Sequence, residues 1–133
     1  MTVEDSVEIA KPQEFVFAIV RDLERAPEWQ DSLESVDVHA GTEVRRLGGR
    51  RQEATFLVVE DAPPRRLAIT SRGGPAAARA TFDLEPAGDG TLVRFTLDVE
   101  LRGAARMAGP IVKTTAQREV RSSLQKLKEV AEE

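Results

Sequence analysis

The sequence predicts an α+β fold in which a curved antiparallel sheet of seven strands wraps around one long C-terminal helix. Three features of the 133-residue chain lead to this expectation. A short alternating strand runs into a compact apolar helix and then into Trp29, the only tryptophan; a run of short strands follows; and a long amphipathic helix closes the chain. A chain of this length without a disordered linker is expected to form a single domain over residues 1–133.

The N-terminal segment predicts a strand followed by a pair of short helices. Val3, Val7 and Ile9 alternate with polar residues, as in a strand with one buried face. Pro12 then opens a helix that is expected to end at Asp22, with apolar positions at Phe15, Val16 and Ile19.

Seven strands are expected, at residues 2–9, 33–40, 42–47, 51–60, 65–72, 77–86 and 91–101. Turn residues mark the later connections, at Gly48-Gly49, Pro63-Pro64, Gly73-Gly74-Pro75 and Gly88-Asp89-Gly90. These connections leave no room for crossover helices, so neighbouring strands are expected to pair in antiparallel fashion.

The register of residues 51–60 decides whether a carboxylate faces the interior. Either Phe56 and Val58 point inward, or Leu57 and Val59 do so together with Glu53, and a slip of one residue exchanges the two sets. The first register is favoured because Phe56 is the largest apolar residue of the segment, and its removal from water is worth about 2 kcal/mol or more. Glu53 would then face water.

The closing helix has an apolar stripe at steps of three and four residues: Val112, Ala116, Val120, Leu124, Leu127 and Ala131. A second row, Met107, Ile111 and Thr115, accompanies its first half. Gly109-Pro110 is expected to bend or restart the helix, because proline lacks a backbone donor. The small residues at 114–116 are expected to leave space beside the sheet.

Composition narrows the class of protein. There is no cysteine, so a reducing, cytoplasmic location is expected, and neither a signal peptide nor a membrane span is visible. The last helix is basic, but Glu119 and Glu129 are interleaved with the bases and no aromatic residue lies on it. This pattern favours a solvated face over a nucleic-acid partner. The oligomeric state stays open.

Four segments together resemble the polyketide cyclase/dehydrase and lipid-transport family of the START-like superfamily, also called SRPBCC or Bet v 1-like. They are PQEFVF at residues 12–17, DLERAPEW at 22–29, FLVVEDAPPRRL at 56–67 and FDLEPAGDGT at 82–91. The resemblance covers essentially the whole chain. It implies a helix-grip fold with two short helices plugging one end, and a hydrophobic cavity between the sheet and the C-terminal helix.

The resemblance also implies candidate site residues. The expected cavity lining is Trp29, Phe56, Val58, Ile69, Ser71, Phe82, Phe95, Leu97, Met107, Ile111 and Thr115. For Trp29, packing beneath the short helices is the favoured role and contact with a ligand the second. Weak catalytic candidates are Glu53, Ser71 and Arg72. His39, the only histidine, is expected to be a surface residue. Neither a metal nor a cofactor is expected.

The function expected from the sequence is binding or transport of a hydrophobic small molecule, either a lipid or a polyketide-like compound. Two alternatives stay open. One is a polyketide aromatase/cyclase or dehydratase, for which this chain offers no tyrosine and a single tryptophan. The other is a macromolecular partner protein like the quinone-binding and ribosome-acting branch of the superfamily, which would use the basic helix. Catalysis is therefore undecided, with the balance toward a non-catalytic binder.

Overall fold

The computed structural model describes residues 1–47 and 49–133. Its strands are β1 (Thr2–Ile9), β2 (Leu33–Asp37), β3 (Thr42–Leu47), β4 (Arg50–Ala62), β5 (Arg66–Gly73), β6 (Ala76–Ala87) and β7 (Gly90–Leu101). Its helices are α1 (Gln13–Arg21) and α2 (Gly109–Glu132), and two 3₁₀ helices cover Leu23–Glu28 and Gly103–Ala108.

The seven strands form one antiparallel sheet in the order β1-β7-β6-β5-β4-β3-β2. Every neighbouring pair except β1 and β7 is consecutive in the chain, as the short connections predicted. With α2 lying against the concave face and the two short N-terminal helices at one end, this is the helix-grip arrangement. The α+β prediction is confirmed.

The second strand is shorter than expected because a turn begins at its end. It stops at Asp37 rather than at residue 40. The Asp37 carboxylate accepts a hydrogen bond from the backbone N–H of Ala40 at 3.0 Å, and Gly41 follows with φ of +68°. An aspartate that binds the backbone beyond it, followed by a glycine at positive φ, favours a turn over continued strand. Of the expected Gly48-Gly49 turn, Gly48 lies outside the described residues.

The first helix buries two of its three expected apolar positions, and Phe15 is the exception. Val16, Phe17, Ile19 and Val20 are buried, whereas Phe15 is 47% exposed. The Nζ of Lys11 lies 5.3 Å from the centre of the Phe15 ring, so the ring is partly covered by an amphipathic side chain.

The register of β4 is the one that places Phe56 and Val58 on the concave side. Exposure alternates along the strand, and Leu57 on the opposite face is 65% exposed. A bulge between Val58 and Glu60 shifts the pairing with β5 near the end of the strand. Glu53 is exposed on the outer face, as the favoured register predicted.

The closing helix restarts at Gly109-Pro110, as predicted from the proline. The Gly103–Ala108 3₁₀ helix ends and α2 begins at Gly109, with Pro110 in its first turn, where a missing N–H costs no helical hydrogen bond. The buried residues of α2 are Ala116, Val120, Ser123, Leu124, Leu127 and Ala131. They pack mainly over β1 and β7, so the helix covers one side of the concave face much more closely than the other.

Candidate functional site on the concave face

The concave faces of β4, β5 and β6 stay accessible although they point toward the interior. Some of their inward-facing side chains are only half-buried, and Leu97 of β7 beside them is half-buried as well. The half-buried residues of these three strands are Phe56, Val58, Ile69, Ser71, Ala78 and Ala80. The register puts Ile69, Ala80 and Leu97 in one row across the sheet and Ser71, Ala78 and Val99 in the next. Because α2 lies over β1 and β7, it does not fill the space above these rows. We call this space the concave groove.

Small side chains of α2 face the groove. Ala116 is buried and Val112, one turn earlier, is half-buried. The expected second row does not lie here, because Met107 and Ile111 are 89% and 72% exposed and Thr115 is exposed as well. The reason is helical geometry: Ile111 precedes Ala116 by five residues, which rotates it by about 140° away from the buried stripe at 3.6 residues per turn.

The end of the concave face beneath the short helices is solid core. Trp29 is 1% exposed, and Phe82 and Phe95 are 2% and 5% exposed. The rings of Phe82 and Phe95 lie 4.4 Å apart between centroids, and the Trp29 indole meets Phe82 edge to face. These three expected lining residues therefore close one end of the groove rather than line its open part.

The weak catalytic candidates lie on opposite faces of the sheet. Glu53 and Arg72 alternate outward and are exposed, whereas Ser71 is half-buried and faces the groove opposite Phe56. The structure thus does not bring the three together. Ser71 has no hydrogen-bonded base among the described residues, and a serine without one is not an activated nucleophile.

A polar cluster that the sequence analysis missed lies at the β3 side of the concave face. It consists of Gln30, Ser32, Glu43, Arg45 and Glu119. Glu43 is inward-facing and only 8% exposed, and Ala54, its partner on β4, lies two residues before Phe56. The Nε of Arg45 donates to Oε1 of Glu43 at 3.3 Å.

The other contacts of the cluster join the sheet to α2. Arg45 donates through Nη1 to Oγ of Ser32 at 3.0 Å and through Nη2 to Oε1 of Gln30 at 2.9 Å. The Ser32 hydroxyl donates in turn to Oε1 of Glu119 on α2 at 2.7 Å. The side chains of Glu43, Arg45 and Glu119 are 10%, 26% and 23% exposed, so the cluster is largely withdrawn from water.

An ion pair beside the cluster fixes the same loop to α2. Asp31 accepts hydrogen bonds from Lys126 and from the Ser122 hydroxyl, and these bonds hold the pKa of the Asp31 carboxyl below its ordinary value. The loop that carries Gln30 and Ser32 is therefore attached to the helix at two successive residues, which orients the cluster.

Two further depressions are open and lie on the outer face of the sheet. One of about 550 Å³ is lined by outward side chains such as Leu57, Thr70 and Arg79, and one of about 690 Å³ lies between Gln13, Arg66 and Arg94. The first also contacts Ser71, Ala78 and Val99 of the concave rows, whereas the second shares no residue with the concave groove.

The described residues offer few other groups that could act in catalysis or bind a metal. His39 is exposed in the turn after β2. Within residues 1–47 and 49–133, no group of three or more histidine, cysteine or acidic side chains is gathered as a metal site. No helix in the described ranges combines the length and the apolar character that crossing a membrane requires.

Comparison with solved structures supports the fold. A START superfamily protein from Mycobacterium smegmatis aligns with a TM-score of 0.86 at 23% identity, covering 98% of this chain and 97% of that one. The protein TTHA0849 from Thermus thermophilus aligns at 0.81 with 24% identity, covering 98% and 97%. The Zhui aromatase/cyclase from a Streptomyces species aligns at 0.80 with 17% identity, covering 99% and 93%. At these identities the likeness concerns the fold alone.

Comparison at the level of sequence families is more specific. No curated protein matches the chain significantly. The family model described as polyketide cyclase / dehydrase and lipid transport, however, matches residues 1–132. This chain, with its START-like helix-grip fold, therefore belongs to the polyketide cyclase/dehydrase and lipid-transport family.

Proposed function

We propose that the protein binds a hydrophobic small molecule, a lipid or a polyketide-like compound, in the concave groove between β4–β6 and the first half of α2. One observation carries the proposal: apolar side chains that point toward the interior, such as Phe56, Ile69 and Leu97, remain accessible because α2 lies to one side of them. A concave, mostly apolar surface with few polar groups is the usual form of a small-molecule site. Membership of the family supports the same class of ligand.

The proposal is binding rather than catalysis because the open part of the groove offers little acid or base chemistry. Ser71 is the only one of the weak catalytic candidates on that face. Glu53 and Arg72 lie on the other side of the sheet, where they cannot reach a ligand bound above Phe56.

A cyclase is the second candidate, and one observation favours it. The cluster of Glu43, Arg45 and Glu119 places carboxylates beside the groove, and a positioned carboxylate can move a proton in a cyclisation. One of the structural neighbours is an aromatase/cyclase, although its identity to this chain is only 17%. Product formation from a polyketide-like substrate separates this candidate from the binder.

The binding proposal is tested with the neutral apolar dye N-phenyl-1-naphthylamine, whose fluorescence rises in an apolar site. Ala78 and Ala77 are neighbours on β6, and Ala78 faces the groove whereas Ala77 faces outward. We expect Ala78→Phe to fill part of the groove and to weaken dye binding by about tenfold, a change of about 1.4 kcal/mol. The matched variant Ala77→Phe is expected to leave the affinity within about twofold, a difference under about 0.5 kcal/mol.

Thermal unfolding of both variants accompanies the titration, so that a loss of fold is not mistaken for a loss of binding. Equal dye affinity in the two folded variants would place the site elsewhere. Absence of dye binding in the wild-type protein would contradict the proposed function itself.

A further inference from the structure

The polar cluster beside the groove directs its guanidinium and hydroxyl donors mainly at its own members and keeps one free carboxylate acceptor. Arg45 directs its guanidinium N–H groups at Glu43, Ser32 and Gln30. Nη1 also lies 4.0 Å from Oε1 of Glu119, which is an ion-pair contact longer than a hydrogen bond. The Ser32 hydroxyl gives its proton to the same Oε1. Among the described residues, no hydrogen-bond donor contacts Oε2 of Glu119.

The net charge of the cluster also disfavours an anionic group on the ligand. Two carboxylates, Glu43 and Glu119, surround one guanidinium, so the cluster carries a net negative charge. The nearby Lys126 is already paired with Asp31 and adds no free positive charge. A carboxylate or phosphate on a ligand would therefore be repelled in a place where low exposure strengthens the repulsion.

The position of Glu119 relates the cluster to the groove. Glu119 follows Val112 by seven residues, so the two share one face of α2 and are separated by about 10 Å along its axis. On the sheet, Glu43 faces Ala54, the inward residue next to Phe56. A ligand that lies along Phe56 and Val112 would thus reach the cluster with one end.

We propose that the cluster recognises a neutral hydroxyl group at the end of an otherwise apolar ligand, and that Glu119 accepts the hydrogen bond from this hydroxyl. The inference rests on the proposed function, since it requires the apolar body of the ligand to occupy the groove. Phenols, sterols and long-chain alcohols have the required chemistry, whereas fatty acids do not. A hydrogen bond to a charged acceptor is about twice as strong as one between neutral groups. An ammonium group would suit the charge of the cluster, but stripping an ion of water beside an apolar floor is costly.

The test uses three compounds with the same alkyl chain and different ends: 4-decylphenol, decylbenzene and 4-decylbenzoic acid. Each is titrated against wild-type protein loaded with N-phenyl-1-naphthylamine, and displacement of the dye is measured at pH 7, where the phenol is neutral and the benzoic acid is ionised. We expect the phenol to bind about tenfold more tightly than decylbenzene, and the benzoate to bind no more tightly than decylbenzene.

Glu119→Gln removes the charge and nearly keeps the shape. We expect this variant to reduce the preference for phenol over decylbenzene to within about threefold and to improve binding of the benzoate, with decylbenzene unchanged. Glu129→Gln is the matched control, since it makes the same change at an exposed position of the same helix. It is expected to keep all three affinities.

The outcomes distinguish this inference from the proposed function. If all three compounds displace the dye and the phenol has no advantage over decylbenzene, the hydroxyl inference is wrong and the groove remains a site. Tightest binding of the benzoate would also overturn it, as would a preference for phenol that survives in Glu119→Gln. If no compound displaces the dye, the proposed function fails, and this inference fails with it. The wild-type series decides the matter even if a variant does not fold.

Discussion

Trp29 and Phe82 meet edge to face, with their ring centroids 5.7 Å apart and their ring planes at 80°. Trp29 follows the Leu23–Glu28 3₁₀ helix, and Phe82 lies on β6 against Phe95 of β7. This aromatic contact therefore joins the helical plug to the middle of the sheet. Edge-to-face pairs add about 0.5–1.5 kcal/mol beyond the area that they bury.

Replacing Trp29 by phenylalanine should destabilise the protein without unfolding it. The indole Nε1 has no hydrogen-bond partner among the described residues, so the change breaks no hydrogen bond and acts through the void that it leaves. We expect the free energy of unfolding to fall by about 1–3 kcal/mol, measured by urea denaturation followed by circular dichroism. Phe15→Leu, at a half-exposed position of α1, is the control and should change it by less than about 0.5 kcal/mol.

The emission of the wild-type protein checks the same assignment independently. Trp29 is the only indole and is 1% exposed, so its emission maximum should lie well to the blue of free tryptophan. A maximum near that of free tryptophan would place the ring in water and contradict the plug.

The strands and helices could be predicted from the sequence because each is specified by residues within its own segment. Alternation in β7, with Val93, Phe95 and Leu97 on one face, fixed both the strand and its buried side. The turn residues located the hairpins, and the restart at Pro110 followed from the missing backbone donor. The predicted end of β2 at residue 40 was wrong. Residues 38–40 continue the alternating pattern of the strand, but the hydrogen bond from the Ala40 N–H to the Asp37 carboxylate holds their backbone in a turn.

The groove was less predictable because it depends on how α2 is rotated. The spacing of Met107, Ile111 and Thr115 is helical, but spacing alone does not say which of two adjacent stripes faces the sheet. Packing of Val120, Leu124 and Leu127 against β1 and β7 decides the rotation. That packing leaves Met107 and Ile111 exposed.

The sequence contains a signal for one member of the polar cluster, Glu43. Leu47 pairs with Arg50 and, four residues further along each strand, Glu43 pairs with Ala54, which is the register expected for a hairpin turn at Gly48-Gly49. Once Phe56 is assigned to the concave side, Ala54 and therefore Glu43 must share that side. The partners Ser32 and Glu119 could not be found in this way, since no local pattern connects them to β3.

Arg45 should contribute measurably to stability because it is the cation paired with the buried Glu43 carboxylate. Arg45→Met leaves the Glu43 carboxylate withdrawn from water without its cation, and we expect a loss of about 1–3 kcal/mol in the free energy of unfolding. Arg46→Met is the matched control, because Arg46 is the next residue on the same strand and its partner Glu34 is on the outer face. Arg46→Met should lower the free energy of unfolding by clearly less than Arg45→Met does.

A double-mutant cycle identifies the cause of that loss. In a Glu43→Gln background Arg45→Met no longer leaves the Glu43 carboxylate without its cation, so the substitution should cost at least about 1 kcal/mol less than in the wild type. An equal cost in both backgrounds would mean that Arg45 acts through packing of its side chain and not through Glu43.

The pair of Asp31 and Lys126 should contribute to stability at neutral pH and lose that contribution in acid. The hydrogen bond from Lys126, followed by that from Ser122, lowers the pKa of Asp31 in the folded protein below its ordinary value of 3.8. The stabilisation is therefore present above the unfolded pKa and is lost as the pH falls through the folded one.

Asp31→Asn should lower the melting temperature at pH 7 and make its decline below about pH 4 shallower than in the wild type. Thermal unfolding followed by circular dichroism at a series of pH values measures this. Asp89→Asn, in the exposed turn between β6 and β7, is the control and should parallel the wild type. Parallel curves for Asp31→Asn would show that the pair does not couple folding to protonation.

The last prediction separates a binder from a cyclase acting through the sequence-derived candidates. Cyclisation of an acyl chain needs one group that moves protons and another that stabilises an enolate oxygen. Glu53 and Arg72 lie on the outer face and Ser71 alone faces the groove, so these three side chains cannot act on one substrate. We expect Glu53→Gln and Arg72→Ala to leave dye affinity within about twofold, and Ser71→Ala within about tenfold, a change of at most about 1.4 kcal/mol.

The same variants are assayed for turnover, with product from a polyketide-like substrate followed by mass spectrometry. We expect no product from the wild-type protein. Product that disappears in Glu53→Gln would require Glu53 to reach the substrate and would overturn both the outward register of β4 and the binding proposal. Product that survives in Glu53→Gln, Ser71→Ala and Arg72→Ala but disappears in Glu119→Gln would establish the cyclase and move its chemistry to the polar cluster, where the carboxylates lie beside the groove.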